Sequence, residues 1–327
     1  HRQRRKLEIL AMPEKEIEKF NTLGTRVNIA GTIMGKPRII RGKITNDIDK
    51  FMEANYITPL DDKYKEIVLS EKDKKMIIEL SKRKDVMDIL ANNLAPQIAG
   101  YEDVKKSIVL QMFGGVNSAK PKKRGDIHIL LIGDPACGKT QMAKSIGDKC
   151  LKYVYFSGSR ASKAGMTVAV VKDEITNSWG IQAGSMILAH KGICVIDEFD
   201  KTAEEDRNAL HEAMSEQMIT LSKIVAGSLM CETSVLACAN WKNSRFNPNE
   251  DMVSQIDMPD SLKSRFDLLW SFIDRADEVK DKNIAEHMLG INKQQENVIS
   301  DELWKKYLIY SNKLLTISVY SLKVTPI

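Results

Sequence analysis

The chain has 327 residues, 43% of them hydrophobic and 28% charged, with 49 Lys+Arg against 44 Asp+Glu for a formal charge of +5. That length accommodates two domains with at least one sizeable core, and the mildly basic balance permits a polyanionic partner without demanding one. The five cysteines, Cys137, Cys150, Cys194, Cys231 and Cys238, include no C-x-x-C pair, which argues against a zinc ribbon or a disulfide framework, and no apolar run has the roughly 18 residues of a membrane span. Most of these cysteines are expected to be small buried hydrophobes. The chain opens in a basic stretch, His1 to Lys6, with no initiator Met and no signal peptide, and is expected to be a fragment.

Residues Thr25 to Met34 alternate, with Val27, Ile29 and Ile33 to one face and Arg26, Asn28 and Thr32 to the other, which predicts a half-buried strand. Gly31, Gly35, Pro37 and Gly42 punctuate it, and a second extended stretch follows at Tyr56 to Leu60. Small and glycine-interrupted, this region reads as part of a compact β domain. Its Arg38, Arg41 and Lys43 suit phosphates and equally suit a solvated hairpin. From Ser70 to Leu94 the rhythm is helical, with Met76, Ile77, Leu80, Met87 and Leu90 near helical spacing and a Ser70–Asp73 capping box at the start. This helix is the expected connector.

Beyond Ala95 the pattern is α/β. Five short apolar runs, Ile127 to Ile132, Tyr153 to Phe156, Ile193 to Ile196, Val235 to Ala239 and Leu268 to Ile273, are near-continuously hydrophobic, as strands of a parallel sheet buried on both faces are. The lysine-rich stretch Lys120 to Arg124 reads as a solvated loop. A further helix is predicted over Asp301 to Leu315, with Leu303, Tyr307, Leu308, Tyr310 and Leu314.

The strongest chemical signal is Gly133-Asp134-Pro135-Ala136-Cys137-Gly138-Lys139-Thr140, which satisfies G-x-x-x-x-G-K-[ST] between a strand and a helix. Glycines there let the backbone curl so that successive N–H groups face phosphate oxygens. Lys139 would reach the β/γ-phosphates of ATP, Thr140 would ligate Mg²⁺, and Gln141 continues the nucleotide-contacting turn. The run Ile193-Cys-Val-Ile-Asp197-Glu198 is a hydrophobic strand ending in two carboxylates, a Walker B element: Asp197 for the metal and nucleotide, Glu198 to polarise the attacking water. Thr202-Ala-Glu-Glu205 spells a capping box for a helix carrying Leu210, Ala213 and Met214 on its core side, and His211 on that helix is read as structural. Met218 to Val225 reads as a hairpin with Lys223 near its tip. Asn240, ending the next strand, stands where a sensor of the γ-phosphate would sit, with a plain turn role equally open. Arg265, in Ser264-Arg-Phe-Asp267, is a permanently charged planar donor suited to developing phosphate charge, and its distance downstream of the P-loop points to use in trans.

These residues resemble the MCM (minichromosome maintenance) family of hexameric AAA+ helicases. Asp197-Glu-Phe-Asp-Lys201 and Ser264-Arg-Phe-Asp267 match two of its signatures, and the similarity runs through Leu94-Ala-Pro-Gln-Ile98, Met112-Phe-Gly-Gly-Val116, Gly125-Asp-Ile-His128 and His211-Glu-Ala-Met214. It is dense over about residues 90 to 290, and Gly24-Thr-Arg-Val27 with Glu53-Ala-Asn55 resemble the end of the family's N-terminal domain. The resemblance, taken as to an archaeal or mobile-element type, implies an α/β fold: an AAA+ P-loop domain with a parallel sheet (95–290), preceded by part of a β-rich OB-like DNA-binding domain (1–62) and a helical connector (63–94), and followed by a partial helical lid (291–327). It implies ATP and Mg²⁺ as cofactors, DNA as partner, a homo- or hetero-hexameric ring, no membrane, and a location with the nucleoid or in a nucleus. It also implies sensor 1 for Asn240, a trans arginine finger for Arg265, and a channel hairpin gripping DNA for Lys223. Gly165 to Gly184, around Val171-Lys172-Asp173 and Trp179, correspond to the family's helix-2 insert, and with DNA as partner Lys172, Arg38 and Arg41 are further candidate contacts on the charge of their side chains.

The sequence departs from the family in three places. MCM P-loops usually read G-D-P-x-x-A-K-S, Trp241 stands where a proline is typical, and the zinc module has no counterpart. The chain also ends at Thr325-Pro-Ile327, about where a sensor 2 arginine would follow. Two other classes compete. An AAA+ protein remodeller would share the core but usually presents an aromatic residue where Lys223 stands, and a non-hydrolysing ring subunit would have no need of intact Lys139, Asp197, Glu198 and Arg265.

Overall fold

The computed structural model describes residues 8–11, 27–40, 43–59, 69–116, 118–119, 122–160, 163–172, 179–221, 227–274, 277–289 and 299–322. The chain forms two compact units, His1–Ile67 and Val68–Ile327.

In the first unit, β1 (Glu8–Ala11), β2 (Val27–Ile40) and β3 (Lys43–Pro59) form a sheet in the order β1-β3-β2. Strands β2 and β3 pair antiparallel from Val27↔Pro59 to Ile40↔Lys43. Both are far longer than the alternation predicts, because β2 runs through Gly31, Gly35 and Pro37 where breaks are expected. An edge strand tolerates proline, and β2 is one; the register shifts between Pro37 and Ile39, at Arg38. Gly31 sits at a second register shift, where a Cβ would overlap the Glu53 carbonyl oxygen, so here the glycine permits close pairing and does not end the strand. Ile33, expected to face inward, is 61% exposed, since its side of the sheet has no opposing layer among the described residues of this unit. Arg41, Gly42 and Leu60 lie outside the described residues.

The second unit opens with α1 (Glu71–Ser81), α2 (Val86–Leu94) and α3 (Glu102–Phe113). The Ser70 capping box is present: Asp73 N–H donates to Ser70 Oγ at 3.1 Å and Ser70 N–H to Asp73 Oδ2 at 3.1 Å. The single helix expected to Leu94 is interrupted at Lys82 to Asp85. There Arg83 and Asp85 form a two-bond ion pair (3.0 and 2.7 Å), a spacing of two residues that a helix holds apart.

In chain order there follow β4 (Ser118–Ala119), β5 (Lys122–Lys123), β6 (Ile129–Gly133), α4 (Lys139–Ser145), β7 (Tyr153–Ser157), α5 (Lys163–Met166), β8 (Val168–Lys172), β9 (Trp179–Ala183), α6 (Ser185–Leu188), β10 (Gly192–Asp197), α7 (Glu204–Glu216), β11 (Met218–Leu221), β12 (Gly227–Met230), β13 (Thr233–Asn240), α8 (Asp260–Lys263), β14 (Leu268–Phe272), α9 (Glu278–Met288) and α10 (Asp301–Leu322). The five expected apolar strands form one wholly parallel sheet in the order β14-β6-β13-β10-β7. Interior β6 is buried at every position, whereas edge strands β7 and β14 are partly exposed. Residues Gly133, Ser157, Asp197, Asn240 and Phe272 therefore emerge on one edge, the carboxyl ends of the strands, where open α/β sheets bind ligands.

Leu131, Val195, Leu236 and Cys238 from the sheet meet Ile108 and Met112 of α3, Met142 of α4, and Trp304 and Leu308 of α10 in one core. Helix α10 extends to Leu322, seven residues past the expected Leu315. Four of the five cysteines are buried, as expected, and Cys137 is partly exposed. The expected cap at Thr202 is displaced: Ala203 is the N-cap of α7 and makes no side-chain cap bond. The Thr202 hydroxyl is buried against Gly158 instead, and Glu204, Glu205 and Asp206 complement the helix dipole in the first turn. Leu210, Ala213 and Met214 are buried on α7 as predicted. Among the described residues no helix is long and apolar enough to cross a membrane.

Candidate active site

The loop from β6 to α4 takes its shape from two left-handed residues, Ala136 (φ 63) and Gly138 (φ 82), and from Gly133, where a Cβ would overlap the Phe272 carbonyl of neighbouring β14. A cavity of 390 Å³ opens above it. Its walls are Pro135, Ala136, Cys137, Gly138, Lys139, Thr140 and Gln141 from the loop, Asp197, Glu198 and Asp200 after β10, and Cys238, Ala239 and Asn240 at the end of β13. Asp134 points elsewhere. Its carboxylate is buried and accepts the N–H groups of Phe246 (2.9 Å) and Asp274 (2.8 Å), bracing the loop against the segments that follow β13 and β14.

Lys139 is 7% exposed and donates to the carbonyls of Gly133 (2.9 Å) and Asp134 (2.6 Å); burial pulls its pKa below the ordinary lysine value. Thr140 Oγ1 donates to Asp197 Oδ1 at 3.0 Å, and the Glu198 N–H donates to the same oxygen at 3.0 Å. Tyr155 OH donates to Asp197 Oδ2 at 2.7 Å, and the tyrosine pKa is raised by burial and then by that bond. Glu198 takes a left-handed backbone (φ 53), and its side chain is held from three sides. Lys201 Nζ reaches Oε1 at 2.6 Å, while Ser157 and Ser159 donate to Oε2 at 2.7 and 2.6 Å. Lys201 first, then Ser159 and Ser157, bring its pKa down to about 2, so Glu198 is an anion throughout the neutral range.

The Thr140 hydroxyl and the Asp197 carboxylate form an oxygen pair at the cavity floor. Mg²⁺ commonly takes one or two protein oxygens and completes its shell with phosphates and water, so these residues fit it. Among the described residues no cluster of three or more His, Cys, Asp or Glu offers an all-protein cage.

Asn240 stands opposite Gly133 in the sheet, with its N–H bonded to Asp200 Oδ1 at 3.1 Å and its side chain at the cavity wall. Trp241, the departure next to it, is buried and packs on Phe246 with ring centroids 5.3 Å apart, so the bulky ring is taken up by the core. Arg265 does not join the cavity; it follows α8 and its Nε donates to His211 Nε2 at 3.1 Å. Phe199 and Phe266 meet edge-on at 6.2 Å, bringing the two signature motifs together. Lys172 ends β8 opposite Trp179 of β9, and Arg38 lies in β2; Lys223 falls in the 222–226 segment between β11 and β12, which with Arg41 lies outside the described residues.

Sequence reasoning missed Tyr155, Ser157, Ser159 and Lys201 around the Walker B carboxylates, and Arg124 beside Arg265. Lys201 follows Glu198 by three positions and so carried a local signal. The β7 residues carried none, because only strand order puts Ser157 level with Asp197.

A parallel sheet in this order, a phosphate-type loop after its interior strand β6 and an Asp-Glu pair at the end of a nearby strand define an AAA+ P-loop domain, a nucleotide-binding class. The family model of the MCM P-loop domain matches residues 73–292, and the chain belongs to the MCM family. It is 38% identical to DNA replication licensing factor MCM7 of Arabidopsis thaliana over 76% of this chain and 35% of that protein. It is 38% identical to DNA replication licensing factor mcm4 of Schizosaccharomyces pombe over 74% of this chain and 28% of that protein. Similarity to the Minichromosome maintenance protein MCM of Saccharolobus solfataricus is 32% over 97% of this chain and 47% of that protein. The chain thus spans less than half the length of these relatives.

Proposed function

We propose that the chain is a subunit of an ATP-driven DNA helicase or translocase acting in replication, with ATP hydrolysed at the subunit interfaces of a hexameric ring. The observation that carries this reading is the convergence of Lys139, Thr140, Asp197, Glu198 and Asn240 on one cavity while Arg265 stands outside it. ATP would lay its phosphates along the 133–140 backbone. Lys139 would exchange its carbonyl partners for the β/γ-phosphates, and Thr140 and Asp197 would hold Mg²⁺, which supplies neutralising charge when bound. Glu198, anionic and anchored, would orient the attacking water, Asn240 would contact the γ-phosphate or that water, and Arg265 would serve the neighbouring subunit's nucleotide. The DNA contacts would come from Lys172 at the end of β8, from Lys223 in the stretch between β11 and β12, and from Arg38 and Arg41 in the β-rich region, which we read as OB-like. Such a subunit would work wherever replicating DNA lies, nucleoid or nucleus.

The names of the relatives support the replication context, and Lys223, a cation where protein remodellers usually present an aromatic residue, supports DNA as the gripped polymer. The test is ATP turnover measured with single-stranded or forked DNA and, in parallel, with an unfolded polypeptide. DNA should stimulate turnover and be unwound. Stimulation by the polypeptide alone would replace this reading with a protein remodeller.

A further inference from the structure

We propose that Arg124 and His211 are positioning residues for the arginine finger: Arg124 fixes the backbone turn that carries Arg265, and His211 sets the direction of its guanidinium. The inference rests on the trans-acting reading of Arg265 given above, and the experiment below separates the two.

Arg124 lies between β5 and β6 in the lysine-rich stretch, yet it is not a solvated charge. Its Nη1 donates to the Met214 carbonyl at 3.0 Å, one of the last-turn carbonyls of α7 that the helix itself leaves unpaired. Its Nη2 donates to the Arg265 carbonyl at 2.8 Å and reaches both Asp267 carboxylate oxygens at 3.0 Å. Asp267 is held further by the His128 N–H (2.8 Å) and donates its own N–H to the His128 carbonyl (2.9 Å). The turn 265–267 is therefore pinned on one side to the segment leading into β6 and on the other to α7.

His211 sits one turn before Met214 on α7, so the same helix face makes both holds. Its Nε2 accepts from Arg265 Nε, which places the imidazole proton on Nδ1. Among the described residues that is the only hydrogen bond of the Arg265 guanidinium, so both terminal nitrogens remain to fork onto a phosphate. A lysine at 124 could not serve Met214, Arg265 and Asp267 together, because one compact ammonium lacks the planar fork.

The experiment uses assembled rings of the full protein. Arg124→Gln should lower ATP turnover on the order of 10²-fold, the cost of a small misplacement of a reacting group, while nucleotide affinity stays within about twofold. Arg124→Lys should restore little. Because its own P-loop is intact, Arg124→Gln mixed with Lys139→Ala should regain turnover, and mixed with Arg265→Ala it should not. His211→Ala, a change on a helix surface that removes only the guanidinium's acceptor, should cost on the order of tenfold and complement in the same pattern. The proposal is overturned if Arg124→Gln and His211→Ala turn over normally. It is also overturned if either loses nucleotide affinity as steeply as turnover, or fails to complement Lys139→Ala in mixtures where Arg265→Ala succeeds. If Arg265→Ala itself fails to complement Lys139→Ala in demonstrated mixed rings, the finger reading falls, and this proposal falls with it.

Discussion

Strands β6, β10 and β13 are buried along nearly their whole length, and each delivers its functional residue at its carboxyl end: Gly133 leading to Lys139, Asp197 leading to Glu198, and Asn240. The ribbons β8–β9 and β11–β12 are built differently. Each has two strands with no third neighbour among the described residues, and in the second ribbon Ile219 is buried while Thr220, Ser228 and Met230 are exposed. A two-stranded hairpin is marginal by itself, whereas a central parallel strand is locked by packing on both faces. The candidate nucleotide-handling residues, which need placement within fractions of an ångström, stand at or just beyond the ends of the locked strands. Of the candidate DNA contacts, Lys172 ends a ribbon strand, where reach matters more than exact placement.

Six changes sharpen or break this contrast, beginning with the largest. Lys139→Ala should reduce ATP turnover to background and weaken nucleotide binding, read by phosphate release and a fluorescent-nucleotide titration, because the phosphates lose their fixed cation. Glu198→Gln should keep binding and still lose hydrolysis; a loss of affinity as severe as that of Lys139→Ala would make Glu198 structural. Leu131→Ala, in the fully buried centre of β6, should cost about 2–5 kcal/mol in denaturant unfolding. Met230→Ala, 53% exposed on the ribbon, should stay within about 0.5 kcal/mol. Equal costs would erase the distinction between locked sheet and ribbon.

Lys223→Ala should leave basal ATPase intact, weaken DNA stimulation about equally for all sequences, and reduce the salt slope of binding by roughly one per contact per subunit. An unchanged slope and unchanged unwinding would return Lys223 to a solvated turn. A further small effect is expected for Ala136→Gly in the phosphate loop. Ala136 holds a left-handed φ that costs an L-residue roughly 1–2 kcal/mol, partly offset by the greater entropy a glycine loses on folding. The exchange should therefore be neutral to stabilising by at most about 1 kcal/mol, and a clear destabilisation in the same unfolding assay would show that the Ala136 methyl contributes packing.

The parts of the fold legible in the sequence are those whose signal is local. Ile127 to Ile132 and Val235 to Ala239 read as strands because burial on both faces leaves a near-continuous apolar run, and Ser70 with Asp73 reads as a cap because three positions suffice to form it. The P-loop and Asp197-Glu198 are legible for the same reason. Arrangements set by the order of strands are not. Tyr155 and Ser157 reach Asp197 and Glu198 only because β7 lies beside β10, and Arg124 reads as a solvated charge until α7 and the 265–267 turn close around it. Local spelling also misleads where tertiary contact wins: Thr202 is drawn against Gly158 and leaves the cap to Ala203, and Pro37 continues β2 because that strand is an edge.

The central claim is that a site assembled on the locked strands of one subunit is completed by Arg265 of another. Specific ATPase activity followed across the dilution series that converts rings to monomers, with mass measured at each point, tests it most directly. An arginine finger is worth on the order of 10³ to 10⁵ in rate, so activity per chain should collapse with the ring while nucleotide binding persists. Verified monomers turning over ATP at the full ring rate would contradict the account.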